Sequence, residues 1–408
     1  MRRIRTLRKA GPALAFGIAG LVAAACAAET PTVDSSTAAS VGSPPPAAPP
    51  AGSPTTTTTP ASTTTAVPVE TIPVTTVPPK PDLYAFTRAG MFAPQVQGIT
   101  PRVYVPNSDA HSMTVIDPAT GAVIKTVKVG VVPHHVTPSW DLSRLYVLDT
   151  SGNALYPIDP RSGDLGAPIP VEDPYNLYFT PDGREALVIA ERYQRIDLRD
   201  PNTWQLTGSI SVPHPGVNHG DFSADGRHFY ASCEFSGWVV KINLAERRIV
   251  NERKAGIEPI DVKFSPDGTR LYVADQVRAG VMILDPGDLS ELGFVPTGRG
   301  AHGLYPSRDG SKLYVTNRLA NSVSVIDFAT NQVTATWTIP GGGSPDMGSV
   351  SPDGNQFWVS GRYHSEVYVF DTNTGQLVMR IRAGGGAHGL AYFPQPGRYS
   401  IGHTGAYR

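Results

Sequence analysis

The tetrapeptide Ala-His-Gly-Leu occurs twice, at residues 301–304 and 387–390, each time behind a glycine run. Histidine changes its charge near neutral pH and is the commonest metal ligand, so both copies are candidates for acid–base or metal chemistry. Both copies also fit Gly-x-Gly-x-x-Gly, the pattern of dinucleotide sites, which requires a following helix to hold a pyrophosphate. The structural elements around the two histidines therefore decide what they can do.

Those elements belong to a repeat. Asp-Gly recurs at 182–183, 225–226, 267–268, 309–310 and 353–354, at intervals of 42 to 44 residues. Each unit contains four short β-rich runs separated by turn residues, and no helical periodicity, which is typical of a β-propeller blade. The absence of a helix behind either glycine run excludes the dinucleotide interpretation.

Seven such units predict an all-β, seven-bladed β-propeller over residues 83–408, with four antiparallel strands in each blade. The run before Asp-Gly is expected to be the innermost strand, lining a central channel. The last inner strand, near 388–393, is expected to pair with N-terminal strands near 102–129 and so close the ring and remove the sheet edges. The segment KLYVTNRLANSVSVIDFATNQV (312–333) resembles the YVTN-repeat β-propeller family. The resemblance implies this fold, while function must come from the site.

Aligning the seven inner strands gives two columns that are rich in potential ligands. In a seven-membered ring the last blade touches the first, so His302, Asp346, His388 and His134 should lie on four consecutive blades at one depth. His135, His219 and Asp261 fall one residue deeper, with side chains turned the other way if the strands are regular. The predicted binding site at the channel mouth comprises His134, His135, His219, Asp261, His302, Asp346 and His388.

Two functions fit this set of residues. The first is a binding module that recognises a small molecule or a protein at the channel mouth. The alternative is a metal-dependent oxidoreductase or lyase, with Cu or Zn held by His134, His302, Asp346 and His388, since nitrogen ligands suit these metals. Nitrous-oxide-reducing enzymes and streptogramin-type lyases carry histidines on similar seven-bladed rings, which is a similarity of fold. No catalytic residue is assigned.

The N-terminal segment predicts export. Residues 1–26 combine a basic start with a short apolar run, as in a signal peptide. LVAAAC resembles a lipobox, which implies lipidation of Cys26 and anchoring to the outer face of the cell membrane; the alternative is cleavage after Ala25 or Ala27 and secretion.

Residues 27–82 are rich in Pro, Thr, Ser and Ala and predict a disordered linker. A net charge of −1 argues against a nucleic-acid partner. The head is expected to be monomeric.

Overall fold

A computed structural model describes residues 81–403 and 406–408 of the chain. The predicted signal peptide, Cys26 and almost all of the predicted linker lie outside the described residues. Within them the chain forms thirty β-strands and two single 3-10 turns, Pro94–Val96 and Glu191–Tyr193. The described residues include no helix long and apolar enough to cross a membrane.

The strands form seven antiparallel sheets, which are the predicted blades. Blade I contains β1 (Arg102–Asn107), β2 (Ser112–Ile116) and β3 (Val123–Lys128), and β28, described below, completes it. Blade II contains β4 (Pro133–Pro138), β5 (Leu145–Asp149), β6 (Ala154–Ile158) and β7 (Ile169–Pro170). Blade III contains β8 (Asn176–Phe179), β9 (Ala186–Ala190), β10 (Arg195–Arg199) and β11 (Leu206–Ser211), and blade IV contains β12 (Val217–Phe222), β13 (His228–Cys233), β14 (Trp238–Asn243) and β15 (Arg248–Lys254).

The remaining strands complete the ring. Blade V contains β16 (Pro259–Phe264), β17 (Leu271–Asp275), β18 (Gly280–Leu284) and β19 (Glu291–Pro296). Blade VI contains β20 (Ala301–Pro306), β21 (Lys312–Asn317), β22 (Ser322–Asp327) and β23 (Gln332–Thr338), and blade VII contains β24 (Pro345–Val350), β25 (Gln356–Gly361), β26 (Glu366–Asp371) and β27 (Leu377–Arg382). The last three strands are β28 (Ala391–Phe393), β29 (Ser400–Gly402) and β30 (Ala406–Tyr407).

The ring closes as the sequence predicts. β28 pairs antiparallel with β1, with Val103 opposite Tyr392, so blade I combines the innermost strand from the C-terminal end with three strands from the N-terminal end. In blades III to VII the first strand of the repeat runs directly into its Asp-Gly turn, and it is the innermost strand except in blade III, where β29 and β30 are added at the inner edge of β8. The prediction of a seven-bladed all-β propeller with four-stranded blades is confirmed.

The inner and outer strands of a blade differ in the burial of their side chains. The inner three strands of a blade are buried on both faces because neighbouring blades pack against them, whereas an outer strand such as β23 alternates between exposed and half-buried residues. Tyrosine side chains also join neighbouring inner strands. The Tyr178 hydroxyl accepts a hydrogen bond from the Gly220 N–H at 2.8 Å, and the Tyr305 hydroxyl accepts one from Gly348 at 2.7 Å.

One end of the channel is sealed by both terminal segments. We call the face that carries the Asp-Gly turns the lower face and the opposite one, where the innermost strands begin, the upper face. The hairpin of β29 and β30 joins the inner edge of β8, with Gly402 opposite Tyr178, and so lies inside the ring. On the lower face the Leu83 N–H donates to the Pro266 carbonyl at 2.8 Å. The repeat pattern did not predict this seal.

Candidate functional site

The innermost strands begin with a recurrent irregularity. The pairing register with the second strand shifts at the first residues of β4, β12, β16, β20 and β24. In such a bulge adjacent side chains need not point to opposite faces. The His134 and His135 rings stack with centroids 4.7 Å apart, so the alternation expected of a regular strand is absent here.

Five predicted histidines form a closed circuit around the upper end of the channel. Ring centroids are 4.1 Å apart for His134 and His388, 6.0 Å for His388 and His302, and 6.2 Å for His302 and His219. His219 and His135 follow at 5.4 Å, and His135 stacks on His134. The fold thus brings together five histidines from four blades. The alignment predicted that His134, His302 and His388 meet, whereas it placed His135 and His219 with their side chains turned the other way.

Asp346 lies against two of these imidazoles. Its carboxylate is 2.5 Å from His388 Nδ1, 3.3 Å from His302 Nδ1 and 2.6 Å from the Arg318 guanidinium. Burial alone would raise the pKa of Asp346, but the charge of Arg318, with smaller contributions from His302 and Arg362, holds the pKa below its ordinary value. Asp346 is therefore an anion at neutral pH that orients its neighbours.

Asp261 contacts a different histidine. One carboxylate oxygen accepts the Leu304 N–H of the next blade at 2.8 Å, and the other is 3.7 Å from His403 Nε2. His403 precedes β30, and its Nδ1 accepts a hydrogen bond from Asn176 Nδ2 at 3.2 Å. The sequence alignment missed His403 because it follows the last repeat and belongs to no column.

The hydrogen bonds of the imidazoles leave ring nitrogens pointing into the channel without partners. His135 Nδ1 donates to the Tyr175 carbonyl at 2.8 Å, so Nε2 carries the lone pair, 3.4 Å from His219 Nε2. His388 Nδ1 bonds to Asp346, and its Nε2 is buried without a partner among the described residues, as is His219 Nδ1. Burial lowers the pKa of His135 to about 4 and that of His219 and His388 well below the ordinary value. These imidazoles are neutral at physiological pH.

A second column of residues surrounds the mouth above the histidines, and sequence analysis missed it. It consists of the residue that follows the second strand of each blade. Its members are Ser108, Thr150, Glu191, Glu234, Gln276, Arg318 and Arg362. The two acids occupy neighbouring blades III and IV, and the two arginines occupy neighbouring blades VI and VII. Aligning the ends of the second strands would have revealed this division between acidic and basic sides.

The acids of this column are held partly protonated. Burial, followed by repulsion from Glu234, raises the pKa of Glu191 to about 8, and burial raises the pKa of Glu234 to about 7. Asn218 and Gln276 donate to the two oxygens of Glu234, at 2.6 and 3.1 Å. Glu191 Oε1 is buried without a partner among the described residues. This side of the mouth can therefore donate or accept protons near neutral pH.

Arg362 faces the acids as a half-buried cation. No carboxylate of the described residues lies within 4.0 Å of its guanidinium, which donates a long hydrogen bond to Ser108 Oγ at 3.5 Å. Four apolar side chains, each at least half exposed, follow the polar column on consecutive blades. They are Phe235, Val277, Leu319 and Tyr363. The mouth thus has a polar interior, an uncompensated cation and an apolar rim.

The larger surface grooves lie elsewhere. Grooves of about 640 and 690 Å³ separate blades II and III and blades III and IV on the lower face. Their acidic side chains bond within their own turns, as when Asp141 accepts from Ser139 Oγ and Asp182 accepts from Thr180 Oγ1, each at 2.6 Å. Because these polar groups are already satisfied, the histidine-lined mouth is the stronger candidate site.

Comparisons with known proteins agree with the fold. The family model described as YNCE-like beta-propeller matches residues 87–396. The chain is 23% identical over 273 residues to a YncE protein of Salmonella typhi whose function is uncharacterised, covering 60% of this chain and 73% of that protein. It is 28% identical over 127 residues to a dihydro-heme d1 dehydrogenase of Pseudomonas aeruginosa, covering 30% of this chain and only 23% of that enzyme.

Two solved structures show the same architecture. The periplasmic gluconolactonase PpgL of Pseudomonas aeruginosa superposes with a TM-score of 0.61 at 21% identity, covering 72% of this chain and 99% of that one. A protein of unknown function from Desulfotomaculum acetoxidans gives 0.62 at 17% identity, covering 71% and 98%. At these identities the likeness extends to the fold alone, and the narrower YVTN-repeat assignment remains a resemblance.

Proposed function

We propose that this chain, which belongs to the YNCE-like β-propeller family, is an exported protein that binds a small polar molecule at the upper mouth of its channel. One observation carries the proposal. Of the ten buried side-chain polar atoms without a hydrogen-bond partner in the described residues, four surround this mouth and make no ion pair: His219 Nδ1, His388 Nε2, Asn218 Oδ1 and Glu191 Oε1. A fifth, His302 Nδ1, lies 3.3 Å from the Asp346 carboxylate. Each such atom costs about 1–3 kcal/mol unless something pairs with it, and a bound molecule would supply the partners.

The charges at the mouth specify what kind of molecule fits. Arg362 offers an unpaired guanidinium for a carboxylate or another anionic group. Glu191 and Glu234, across the mouth, accept a cationic or hydrogen-bond-donating group. We therefore propose a ligand with an anionic end and a donor or cationic end, and the apolar rim would contact its carbon skeleton. Because the seal closes the lower end, this ligand enters and leaves from above.

Export is proposed from the leader and from the relatives. The apolar segment within residues 1–26 has the features of a signal peptide. The gluconolactonase of similar fold is described as periplasmic. Lipid attachment at Cys26, with anchoring to the outer face of the membrane, and a monomeric head without a nucleic-acid partner are part of the same proposal.

Thermal unfolding of the full chain tests ligand binding. With a metal chelator present throughout, the protein is screened against α-amino acids, ω-amino acids, dicarboxylates and sugar lactones. A ligand at about 100 times its Kd stabilises the folded state by about 2.7 kcal/mol. We expect one class to raise the Tm of the wild type and not that of Arg362→Gln. Arg382→Gln, on the exposed outer strand of the same blade, is the matched control and keeps the response.

Two outcomes would contradict the binding proposal. Either no class in the screen changes the Tm, or Arg362→Gln and Arg382→Gln respond as the wild type does. In the second case the ligand binds away from the mouth.

An enzymatic function is the second candidate, and the pKa values of Glu191 and Glu234 favour it. Groups with a pKa of about 8 and about 7 can exchange protons with a substrate at neutral pH. The enzyme would be a metal-dependent oxidoreductase or lyase that uses Cu or Zn and the channel histidines. Product analysis by mass spectrometry with each compound that binds tests this idea. A Glu191→Gln, Glu234→Gln variant keeps hydrogen-bonding groups at both positions, so it should lose turnover to a much greater extent than it loses affinity; unchanged turnover would exclude these acids from the chemistry.

A further inference from the structure

We infer that His134, His135 and His388 bind one divalent transition-metal ion, Zn²⁺ or Cu²⁺, at the upper mouth. The inference deepens the proposed function and rests on it in one respect, because both place a ligand at the upper mouth. One ring nitrogen from each residue lies within 4.8 Å of the other two. Two ligands of a tetrahedral zinc ion with bonds of about 2.0–2.1 Å are about 3.3 Å apart. His135 Nε2 and His219 Nε2 already stand at 3.4 Å, so the channel holds imidazoles at such separations.

The outer hydrogen bonds of two of these imidazoles match those of metal ligands. A metal-binding histidine usually donates its other ring N–H to a carboxylate or a backbone carbonyl, which fixes the ring and its tautomer. His388 Nδ1 has Asp346 at 2.5 Å, and His135 Nδ1 has the Tyr175 carbonyl at 2.8 Å. In both residues Nε2 keeps the lone pair. His388 Nε2 is fully buried and has no partner in the described part of the chain, so its lone pair is available to a metal ion.

Charge and access favour a transition metal with an open position. Three neutral imidazoles suit Zn²⁺ or Cu²⁺ better than Mg²⁺ or Ca²⁺, which prefer oxygen ligands. His134 is partly exposed, so the fourth position opens toward the mouth. Arg362 faces the same space, and an anionic fourth ligand would offset the positive charge. In this arrangement Asp346 positions His388 and balances Arg318 instead of contacting the ion.

A second group of three histidines competes for the same ring. His135, His219 and His403 also have ring nitrogens within 4.8 Å of one another. His403, however, accepts the Asn176 amide at Nδ1 and faces Asp261 at Nε2, 3.7 Å away. Both of its nitrogens are engaged, whereas His388 offers one that is not. Since His135 Nδ1 is bonded to the Tyr175 carbonyl, only its Nε2, which contacts His219 Nε2 at 3.4 Å, can bind an ion, so only one group can bind at a time, and the upper group is the better donor set.

Titration of the full chain with Zn²⁺ alone, and separately with Cu²⁺ alone, after removal of metal by a chelator, tests the inference. We expect one ion per chain. His388→Gln should weaken the affinity at least 100-fold. His219→Gln, an equally buried channel histidine outside the upper group, is the matched control and should stay within threefold of the wild type. The electron paramagnetic resonance spectrum of the Cu²⁺ form should show nitrogen hyperfine structure that changes only in His388→Gln.

A second variant guards against a simple folding defect. Asp346→Asn keeps every proposed ligand and should weaken metal binding about 10- to 100-fold while retaining one ion per chain, because the outer partner of His388 is weakened. The inference is overturned if the wild type binds neither ion, or if His219→Gln loses as much affinity as His388→Gln. The chelator-treated screen reports small-molecule binding separately, so either proposal can fail without the other.

Discussion

The two ends of the channel differ in whether their buried polar groups have hydrogen-bonding or ionic partners. At the lower face, buried charges have partners: the Arg408 guanidinium is 2.6 Å from the Asp221 carboxylate, and Arg308 donates to the carbonyls of Val350 and Ser351 at 2.7 and 3.0 Å. At the upper mouth, His219 Nδ1 and His388 Nε2 are buried without a partner among the described residues. Both ends are polar: at the lower end the charged groups are paired and the Tyr407 hydroxyl is left unpartnered, whereas at the upper mouth several imidazole nitrogens are unpartnered.

This contrast distinguishes polar groups that stabilise the fold from polar groups that are available to bind a ligand. Asp221 also accepts the N–H groups of Phe222 and Phe264, at 2.8 and 3.0 Å, so its carboxylate joins β12, β16 and the C-terminal segment. The mouth histidines contact mainly one another. We therefore expect substitutions at the lower end to reduce stability and substitutions at the upper end to reduce binding.

The largest expected effect comes from the lower end. Arg408→Met leaves the buried Asp221 carboxylate without its cation, which should lower the free energy of unfolding by about 3–5 kcal/mol. Arg362→Met at the mouth is the matched control; since its guanidinium pairs with no described carboxylate, the loss should stay below about 1 kcal/mol. Urea unfolding followed by circular dichroism measures both. Equal losses at the two ends would remove the distinction.

A double substitution sharpens this result. Replacing Asp221 by Asn in the Arg408→Met chain removes the uncompensated charge, so part of the lost stability should return. If the double variant is less stable than Arg408→Met alone, the ion pair does not explain the loss.

A smaller effect is expected from the glycine of the second Ala-His-Gly-Leu. A Cβ atom on Gly389 would lie 2.3 Å from His135 Cδ2 and 2.6 Å from its Cα. Gly389→Ala should therefore displace His135, cost about 1–3 kcal/mol and weaken metal binding. Gly293→Ala, on an outer strand where a Cβ would meet nothing within 4 Å, is the control and should be nearly neutral. Unchanged metal affinity in Gly389→Ala would mean that the placement of His135 does not matter.

The smallest effect concerns the protonated acids. Because the pKa of Glu191 is raised to about 8 in the folded chain, the folded state retains a proton that the unfolded state releases near pH 4.5. Stability should then fall as pH rises from about 4.5 through about 8 and level off above that. Between pH 7.5 and 8.5 the fall is about 0.7 kcal/mol, and in this window the imidazoles are neutral in the folded state and mostly neutral in the unfolded state, where their pKa is about 6.5. Glu191→Gln should flatten the slope measured by urea unfolding; a slope that persists in the variant would assign the titration to another group.

The sequence predicts the fold well because the fold repeats. Seven similar units require seven similar blades, and an inner strand left over after blade VII can be satisfied only by pairing with β1. The terminal hairpin could not be predicted in this way. Its position depends on Gly402 reaching the free edge of β8, a contact over more than 200 residues that no repeat specifies.

The site was only partly predictable for related reasons. Histidines at equivalent positions of the innermost strands must lie close together if those strands share an axis. His134, His302 and His388 occupy such positions and lie close together. The bulges, which turn His134 and His135 into the same space, arise from local pairing between β4 and β5 that the column cannot reveal. His403 lies outside the repeat. Glu234 and Arg362 belonged to a column that could have been aligned, since they follow the second strands directly.

The first described residues of the chain pack against the lower face of the propeller. Leu83 and Tyr84 bond to Pro266 and Phe264, on the side that bears the Asp-Gly turns. The segment that packs there leaves the histidine opening at the opposite face uncovered, so a ligand can reach that opening without displacing the N-terminal residues that the structure describes.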